Sequence, residues 1–198
     1  MNRKNVIVAA TAAFAVLSLI IIFKDHLRPE KKSSYISEQE RLKGPCPGKT
    51  ETLVAKDPAM SALLPEGTKF HMIENWYACK PVERGDLVMY RYSFQRDPVV
   101  RQVVGVPGDK FELVEDKVHH SWNLLVNGKL ILDKDKEAHY FGALGRPSVL
   151  SLYAKNGKGT LNPKNSIVFN KTSPSQLDSG MFGVVNVDDF LGKVELIQ

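Results

Sequence analysis

The sequence is poor in the residues that build metal and nucleotide sites. It contains only two cysteines and five histidines. His119 and His120 are adjacent, so on a strand they would point to opposite faces and could not share one metal ion. Gly105–Lys110 (GVPGDK) lacks the spacing of a phosphate-binding loop and opens no helical pattern. We therefore predict no bound metal and no cofactor.

The chain also lacks internal repeats, low-complexity tracts and a concentrated basic surface. Its 198 residues carry a formal net charge of +5, spread along the chain among Asp and Glu. Without an aromatic-rich basic face, nucleic-acid binding is not predicted. A length of this order allows one globular domain with a sizeable core plus an appendage.

One long apolar run dominates the N-terminus. Val6–Phe23 contains no charged residue, Gly or Pro, and as a helix it would match the hydrocarbon thickness of a bilayer. Arg3 and Lys4 precede the run, which continues directly into Lys24 without a small-residue cleavage site. We predict a short basic tail at 1–5 and an uncleaved transmembrane signal-anchor helix at 6–23. Positive residues flank both ends, so charge alone leaves the orientation open.

Residues 24–49 are polar and charged, which indicates a stalk, and residues 50–198 form the predicted domain. Short runs rich in β-branched and aromatic residues are separated there by Gly-Asp and Pro-Gly pairs. Asn127–Gly128, between apolar arms, predicts a two-residue hairpin, and Phe182–Val187 is predicted as a strand. The expected fold is mainly β, an antiparallel β domain of hairpins and partial barrel tethered by one N-terminal helix.

The two cysteines, Cys46 and Cys79, both follow the apolar run, so only one intramolecular pairing exists. A disulfide between them would suit an oxidising compartment. Two unpaired buried thiols are the alternative.

Four short segments occur together in a definite order, and a Gly-Lys-Val tail at 192–194 follows them. They are Ala59–Met60 with Pro65–Gly67, Arg84–Asp86, Arg101–Asp109 (RQVVGVPGD) and Leu177–Gly183 (LDSGMFG). In these segments the chain resembles the bacterial signal peptidase I family, including its relatives that process conjugative pilins. The resemblance covers nearly the whole chain, and VVGVPGD is its most specific part. It implies a membrane-anchored serine endopeptidase fold that cleaves signal peptides with a Ser/Lys dyad.

The resemblance places the nucleophile at Ala59 and the base at Arg101, and neither residue can do that chemistry. A hydroxyl nucleophile needs a base within hydrogen-bond reach, and a lysine serves only when burial keeps its amine neutral. Alanine has no nucleophilic atom, and arginine stays protonated because its pKa exceeds ~12. The implied site is therefore that of a catalytically inactive homologue, a pseudoenzyme.

Three further positions of the implied site differ from the family pattern. Asp57 stands where the family often has a hydroxyl, Gln176 replaces the first Ser of the last box, and Gly180 replaces its Arg. We predict that the peptide-binding groove involves Asp57, Met60, Leu64, Gln176, Asp178 and Ser179. An extended peptide could still add to such a groove as a strand, because backbone hydrogen bonds need no catalytic side chain.

An active enzyme is the alternative hypothesis. Ser61 lies two residues after Ala59 and would share its face on a strand, so it is the candidate for a displaced nucleophile. No lysine occupies the base position to activate it. A purely structural component of a secretion or conjugation complex is the third hypothesis.

The expected partners are the membrane, a signal-peptide or pilin-like polypeptide, and an active signal peptidase or a secretion or conjugation complex. The expected location is the cytoplasmic (inner) membrane as a single-pass protein, with the β domain on the outer, periplasmic face.

Overall fold

The computed structural model describes residues 45–56, 64–91, 98–133, 135–138, 140–141, 149–171 and 178–197. Contacts divide the chain into two units, Met1–Ser37 and Glu38–Gln198, and every described residue belongs to the second. The apolar run at 6–23 lies outside the described residues. Within the part that is described, no helix is long and apolar enough to cross a bilayer.

Strands make up most of the described secondary structure. In chain order they are β1 (Thr50–Val54), β2 (Lys69–Glu74), β3 (Leu87–Tyr90), β4 (Val99–Gly105), β5 (Lys110–Asp116), β6 (Ser121–Val126), β7 (Lys129–Leu130), β8 (Tyr140–Phe141), β9 (Lys158–Thr160), β10 (Asn165–Phe169), β11 (Val185–Asn186) and β12 (Phe190–Leu196). One short α-helix, α1 (Ser179–Phe182), and 3-10 turns at Trp76–Ala78, Leu150–Tyr153 and Val187–Asp189 accompany them.

The strands form two antiparallel sheets, which confirms the mainly antiparallel β prediction. The first sheet has seven strands in the order β1-β2-β12-β3-β4-β10-β11, and the second has the order β7-β6-β5-β9 with β8 also paired to β6. The hairpin predicted at Asn127–Gly128 joins β6 to β7. Both turn residues have positive φ angles, 51° and 77°, as this two-residue turn requires.

Strand β4 is central to the core because both of its faces are covered. Val100 packs in a cluster with Phe70, Met72 and Val194 on one face, while Val99 and Val103 pack in another cluster on the opposite face. Near the end of the strand, Val104 joins a third cluster, which also contains residues of the second sheet. A strand buried on both sides is expected to read as a near-continuous apolar run, as VVRQVVG does.

The predicted strand at Phe182–Val187 is largely wrong. Phe182 is the last residue of α1, and only Val185–Asn186 pairs as a strand, with β10. Asp178 caps the helix by accepting from the Gly180 N–H at 2.9 Å, and Gly183 ends it with a φ of 85°. The cap and the left-handed glycine outweigh the β propensity of the apolar residues.

Cys46 and Cys79 form a disulfide, with their Cα atoms 5.9 Å apart. Two backbone hydrogen bonds reinforce it, from the Gly48 N–H to the Glu74 carbonyl and from the Glu74 N–H to the Lys49 carbonyl. The segment that leads into β1 is thereby fixed to the end of β2.

Candidate active site

The segment predicted to carry the nucleophile position is anchored by the described residues on either side of it. The Ala55 N–H donates to the Thr68 carbonyl at 2.9 Å, and the Gly67 N–H donates to the Ala55 carbonyl at 2.9 Å. Leu64 is 1% exposed and packs in the cluster of Phe70 and Val100. Leu64, predicted to contact a bound peptide, is therefore a core packing residue in this structure, because neighbouring side chains already cover it.

Five of the predicted site residues lie outside the described part of the chain. They are Asp57, Ala59, Met60, Ser61 and Gln176. Their placement beside Arg101 stays a prediction.

Arg101, at the base position, is fully buried in the middle of β4. It pairs with Val88 of β3, and strand alternation places it on the face of Val99 and Val103. Its Nη1 donates to the Val100 carbonyl at 2.7 Å. Apolar surroundings of this kind would favour the neutral amine of a lysine, whereas a guanidinium has no acceptor atom and can act only as a hydrogen-bond donor.

Asp178 and Ser179, from the last box, are both fully buried and bonded to backbone. Asp178 caps α1, as described above, and the Ser179 Oγ accepts from the Val168 N–H at 2.9 Å. Val168 follows a register shift between β10 and β4, where the strand ladder is interrupted. Ser179 therefore satisfies a backbone donor at that irregularity, and both residues, predicted to bind substrate, stabilise the framework.

The motif order assigns Gly180 to the position of the family's arginine, and the structure fills the space for a side chain there. A Cβ on Gly180 would lie 2.1 Å from Cδ1 of Phe141. Phe141, on β8, is 4% exposed and stacks edge-on against Phe169 at 5.5 Å between ring centroids. Because this ring belongs to the core, residue 180 cannot carry an arginine without repacking the cluster.

Asp86 joins the Arg-Gly-Asp turn to the C-terminal tail. Its carboxylate accepts from the Tyr77 hydroxyl at 3.0 Å and the Glu83 N–H at 3.0 Å, and it pairs with the Lys193 Nζ at 2.9 Å. Burial, followed by the charge of Asp86, raises the pKa of Tyr77 far above its usual range. Lys193 also lies over the Trp76 ring, 5.1 Å from its centroid.

Asp109 holds three turns together. Its Oδ2 accepts from the Arg84 Nη2 and the Val106 N–H, each at 2.7 Å, and its Oδ1 accepts from the Asn127 Nδ2 at 2.7 Å. Arg84 also donates to the Val104 carbonyl. The Pro-Gly-Asp turn, the Arg-Gly-Asp turn and the Asn-Gly hairpin are thus held together by one carboxylate that is 7% exposed.

Lys171 is a residue that the sequence motifs did not indicate. It is half-buried at the end of β10, with a φ of 63°, and its Nζ donates to the Leu132 carbonyl at 2.9 Å. Burial lowers its pKa, and the charge of Asp133 opposes that effect. Lys171 follows β10 of the first sheet, and Leu132 follows β7 of the second sheet, so this bond connects the two sheets.

Sequence comparisons agree with the motif order. The family model for signal peptidases, peptidase family S26, matches residues 49–198. This chain belongs to that family. Signal peptidase IB of Staphylococcus aureus, in strains Mu50, N315 and MW2, is 29% identical over 147 residues, which cover 70% of this chain and 72% of the relative.

A crystal structure of a signal peptidase I from Enterococcus faecalis matches with a TM-score of 0.40 and 18% identity, covering 60% of this chain and 98% of that one. The family membership stands on the sequence model. Within the described residues, no group of three or more His, Cys, Asp or Glu side chains is placed to hold a metal ion.

Proposed function

We propose that this member of the signal peptidase family is a pseudoenzyme that binds secretory or pilin-like polypeptides, or a partner peptidase, without cleaving a peptide bond. The observation that carries the proposal is Arg101. The motif order assigns it to the base position, and it is a fully buried guanidinium bonded to the Val100 carbonyl. A serine anywhere in the loop would lack a neutral amine at this position.

Two further features support the proposal. The sequence has Ala59 at the nucleophile position, so both members of the dyad are replaced. Gly180 replaces the arginine of the last box, and Phe141 occupies the space of its side chain. A single engineered Ser→Ala change would explain Ala59 but not Arg101 or Gly180.

We also propose that the β domain is exported and anchored by a signal-anchor helix at 6–23. The Cys46–Cys79 disulfide supports an oxidising compartment. Modification of the two thiols by a membrane-impermeant reagent, added to intact cells after reduction, tests this topology. Protection of both thiols in intact cells, with modification after lysis, would contradict it.

The test of the function uses the full chain in phospholipid nanodiscs with a precursor polypeptide that carries a signal peptide. We expect no cleavage product by mass spectrometry, while signal peptidase IB of S. aureus under the same conditions provides the positive control. We also expect a photo-crosslinkable signal peptide to attach to the chain and to be displaced by excess unlabelled peptide. Cleavage by the wild-type chain that disappears in Ser61→Ala would overturn the pseudoenzyme assignment. Absence of any displaceable crosslink would overturn peptide binding and favour a binding role for a partner protein.

A further inference from the structure

Four charged side chains are buried among the residues that the structure describes: Asp86, Arg101, Asp109 and Asp178. Asp86 and Asp109 each have a cation in direct contact, at 2.9 and 2.7 Å. Arg101 and Asp178 carry opposite charges, and both are 0% exposed. Burial of a charge is strongly unfavourable unless an opposite charge or hydrogen bonds compensate it. Arg101 and Asp178 are therefore expected to compensate each other if the fold brings them together.

Arg101 lies between two valines on one face of β4. Val99 and Val103 are two residues away on either side, so strand alternation directs all three side chains to the same face. The adjacent strands continue this face, with Tyr90 of β3 opposite Val99 and Val168 of β10 opposite Val103. These four neighbours belong to one apolar cluster, so the dielectric constant around the guanidinium is low.

The short helix α1 crosses β4 over this position. In its first residue, the Ser179 Oγ accepts from the Val168 N–H at 2.9 Å. In its last residue, the Phe182 ring stacks edge-on against Tyr90, with 5.7 Å between the ring centroids. The two contacted residues lie on β10 and β3, which flank β4 on opposite sides. Between their partners on β4, the residue that faces the helix is Arg101.

Asp178 immediately precedes this helix and is buried together with its first turn. Its Oδ1 accepts from the Gly180 N–H at 2.9 Å, which caps the helix. Residue 180 itself supplies no positive charge, because it is a glycine and the Phe141 ring fills the space of its side chain. Attraction between opposite charges at a low dielectric constant extends beyond hydrogen-bond distance, so compensation by Arg101 needs no direct ion pair.

We propose that Arg101 is a positioning residue whose charge compensates the buried carboxylate of Asp178 and thereby holds the last box, 177–183, against β4. The residue that the motif order assigns to the base thus has a framework function in this chain. Arginine at 101 and glycine at 180 belong together, since the guanidinium on β4 supplies a positive charge that glycine cannot. This role is independent of whether the chain binds or cleaves a peptide, so its tests measure folding.

Urea unfolding of the full chain in detergent micelles separates the charge of Arg101 from its size. Arg101→Gln removes the charge and leaves a polar side chain, whereas Arg101→Lys keeps the charge. At pH 8 we expect Arg101→Gln to raise the equilibrium constant for unfolding about 100-fold. Arg101→Lys should raise it about tenfold or less. Equal losses in the two variants would overturn the proposal, because the role of Arg101 would then be steric.

The pH dependence of the Arg101→Gln variant identifies the carboxylate. Without the guanidinium, folding favours a protonated Asp178, so the folded state takes up a proton and stability falls as the pH rises. The loss caused by Arg101→Gln should be at least about tenfold smaller at pH 5 than at pH 8. If this variant does not fold at pH 8, recovery of the folded state at pH 5 gives the same comparison, and no recovery at pH 5 would contradict the proposal.

Two other titratable groups lie on described elements packed against α1. They are Tyr153, in the 3-10 turn, and Lys171, which follows β10. Adding Asp178→Asn to Arg101→Gln leaves both groups in place and should remove the pH difference. A pH difference that persists in this double variant would assign the effect to another group and overturn the proposal.

A double-mutant cycle measures the coupling between the two buried charges. The variant with both Arg101→Gln and Asp178→Asn should have an unfolding constant at least about tenfold smaller than the product of the single effects predicts. Arg101→Gln with Asp109→Asn is the matched control, because Asp109 is a buried carboxylate paired with a different cation, Arg84. The effects in this control should multiply. Multiplicative effects in the first cycle, or equal coupling in both cycles, would overturn the proposal.

Discussion

Replacing Asp109 should destabilise the domain more than any exposed carboxylate, because its two oxygens hold three donors from three motif segments. In Asp109→Ala the Val106 N–H, the Arg84 guanidinium and the Asn127 amide all lose a charged acceptor. The three losses differ in cost, since water can reach only some of these donors.

The magnitude follows from the exposure of each donor. The Arg84 side chain is 42% exposed and Asn127 is exposed, so water can replace their bonds and each costs about 0–1 kcal/mol. The Val106 N–H is part-buried inside the turn, where water replaces its acceptor poorly, so its loss costs about 1–3 kcal/mol, as for a buried donor left without an acceptor. The three ranges sum to a loss of about 1–5 kcal/mol in the free energy of unfolding, centred on about 3 kcal/mol. Asp109→Asn keeps one carbonyl acceptor and should cost about half as much.

Thermal unfolding of the full chain in detergent provides the assay. For a chain of this size we expect Asp109→Ala to lower Tm by roughly 5–15 °C, with Asp109→Asn between it and the wild type. Glu115→Ala, an exposed carboxylate of the same strand region, is the control and should stay within about 0.5 kcal/mol of wild type. If Asp109→Ala unfolds at the same temperature as Glu115→Ala, the reasoning that this carboxylate links the motif segments is wrong.

Three other substitutions test separate parts of the structure. Gly180→Ala should cost at least about 1–3 kcal/mol, because its Cβ would overlap Phe141, and thermal unfolding of the double change with Phe141→Leu should show partial recovery; an unaffected Tm would contradict the contact. Tyr77 has a raised pKa in the folded state, so its contribution is complete below pH ~10 and falls by about 1.4 kcal/mol per pH unit above that value as the unfolded chain ionises. In Tyr77→Phe this contribution is absent, so the free energy of unfolding should fall less steeply with pH than in the wild type. Urea unfolding between pH 9 and 11 measures the two slopes, and identical slopes would refute the assignment. Replacing Cys46 and Cys79 together with Ser should cost about 4 kcal/mol, from the 33-residue separation that the disulfide closes, and equal unfolding midpoints with and without reductant would count against that value.

A turn dipeptide predicted a hairpin correctly where apolar residues flank it. Asn127–Gly128 lies between apolar arms, and its hairpin forms as predicted. Asn156–Gly157 carries the same turn signal, but lysines flank it on both sides, so apolar periodicity could not identify the hairpin. The short strands β8 and β9 are hard to predict for a related reason, since two or three residues give no readable alternation.

Long-range packing was beyond prediction from one sequence. Nothing near Gly180 indicates that Phe141 fills its side-chain space, because the two residues are far apart along the chain. The bonds from Asp109 to Arg84 and Asn127 likewise depend on how three turns converge. The motif order indicated the family, but it assigned Asp178 and Ser179 to substrate binding, whereas the structure uses both to satisfy backbone donors.

The motif residues that remain differ from those that are replaced in one physical respect. Asp86, Asp109, Asn127, Asp178 and Ser179 each make at least one hydrogen bond or ion pair that holds turns, strands or a helix end in place. Ala59, Arg101 and Gly180 are the residues that the motif order assigns to the family's nucleophile, its base and the arginine of its last box. Loss of a framework residue costs folding free energy, whereas loss of a catalytic group costs only rate. A protein that must keep its fold and has no bond to cleave would retain the first set and lose the second, as the proposed pseudoenzyme role requires.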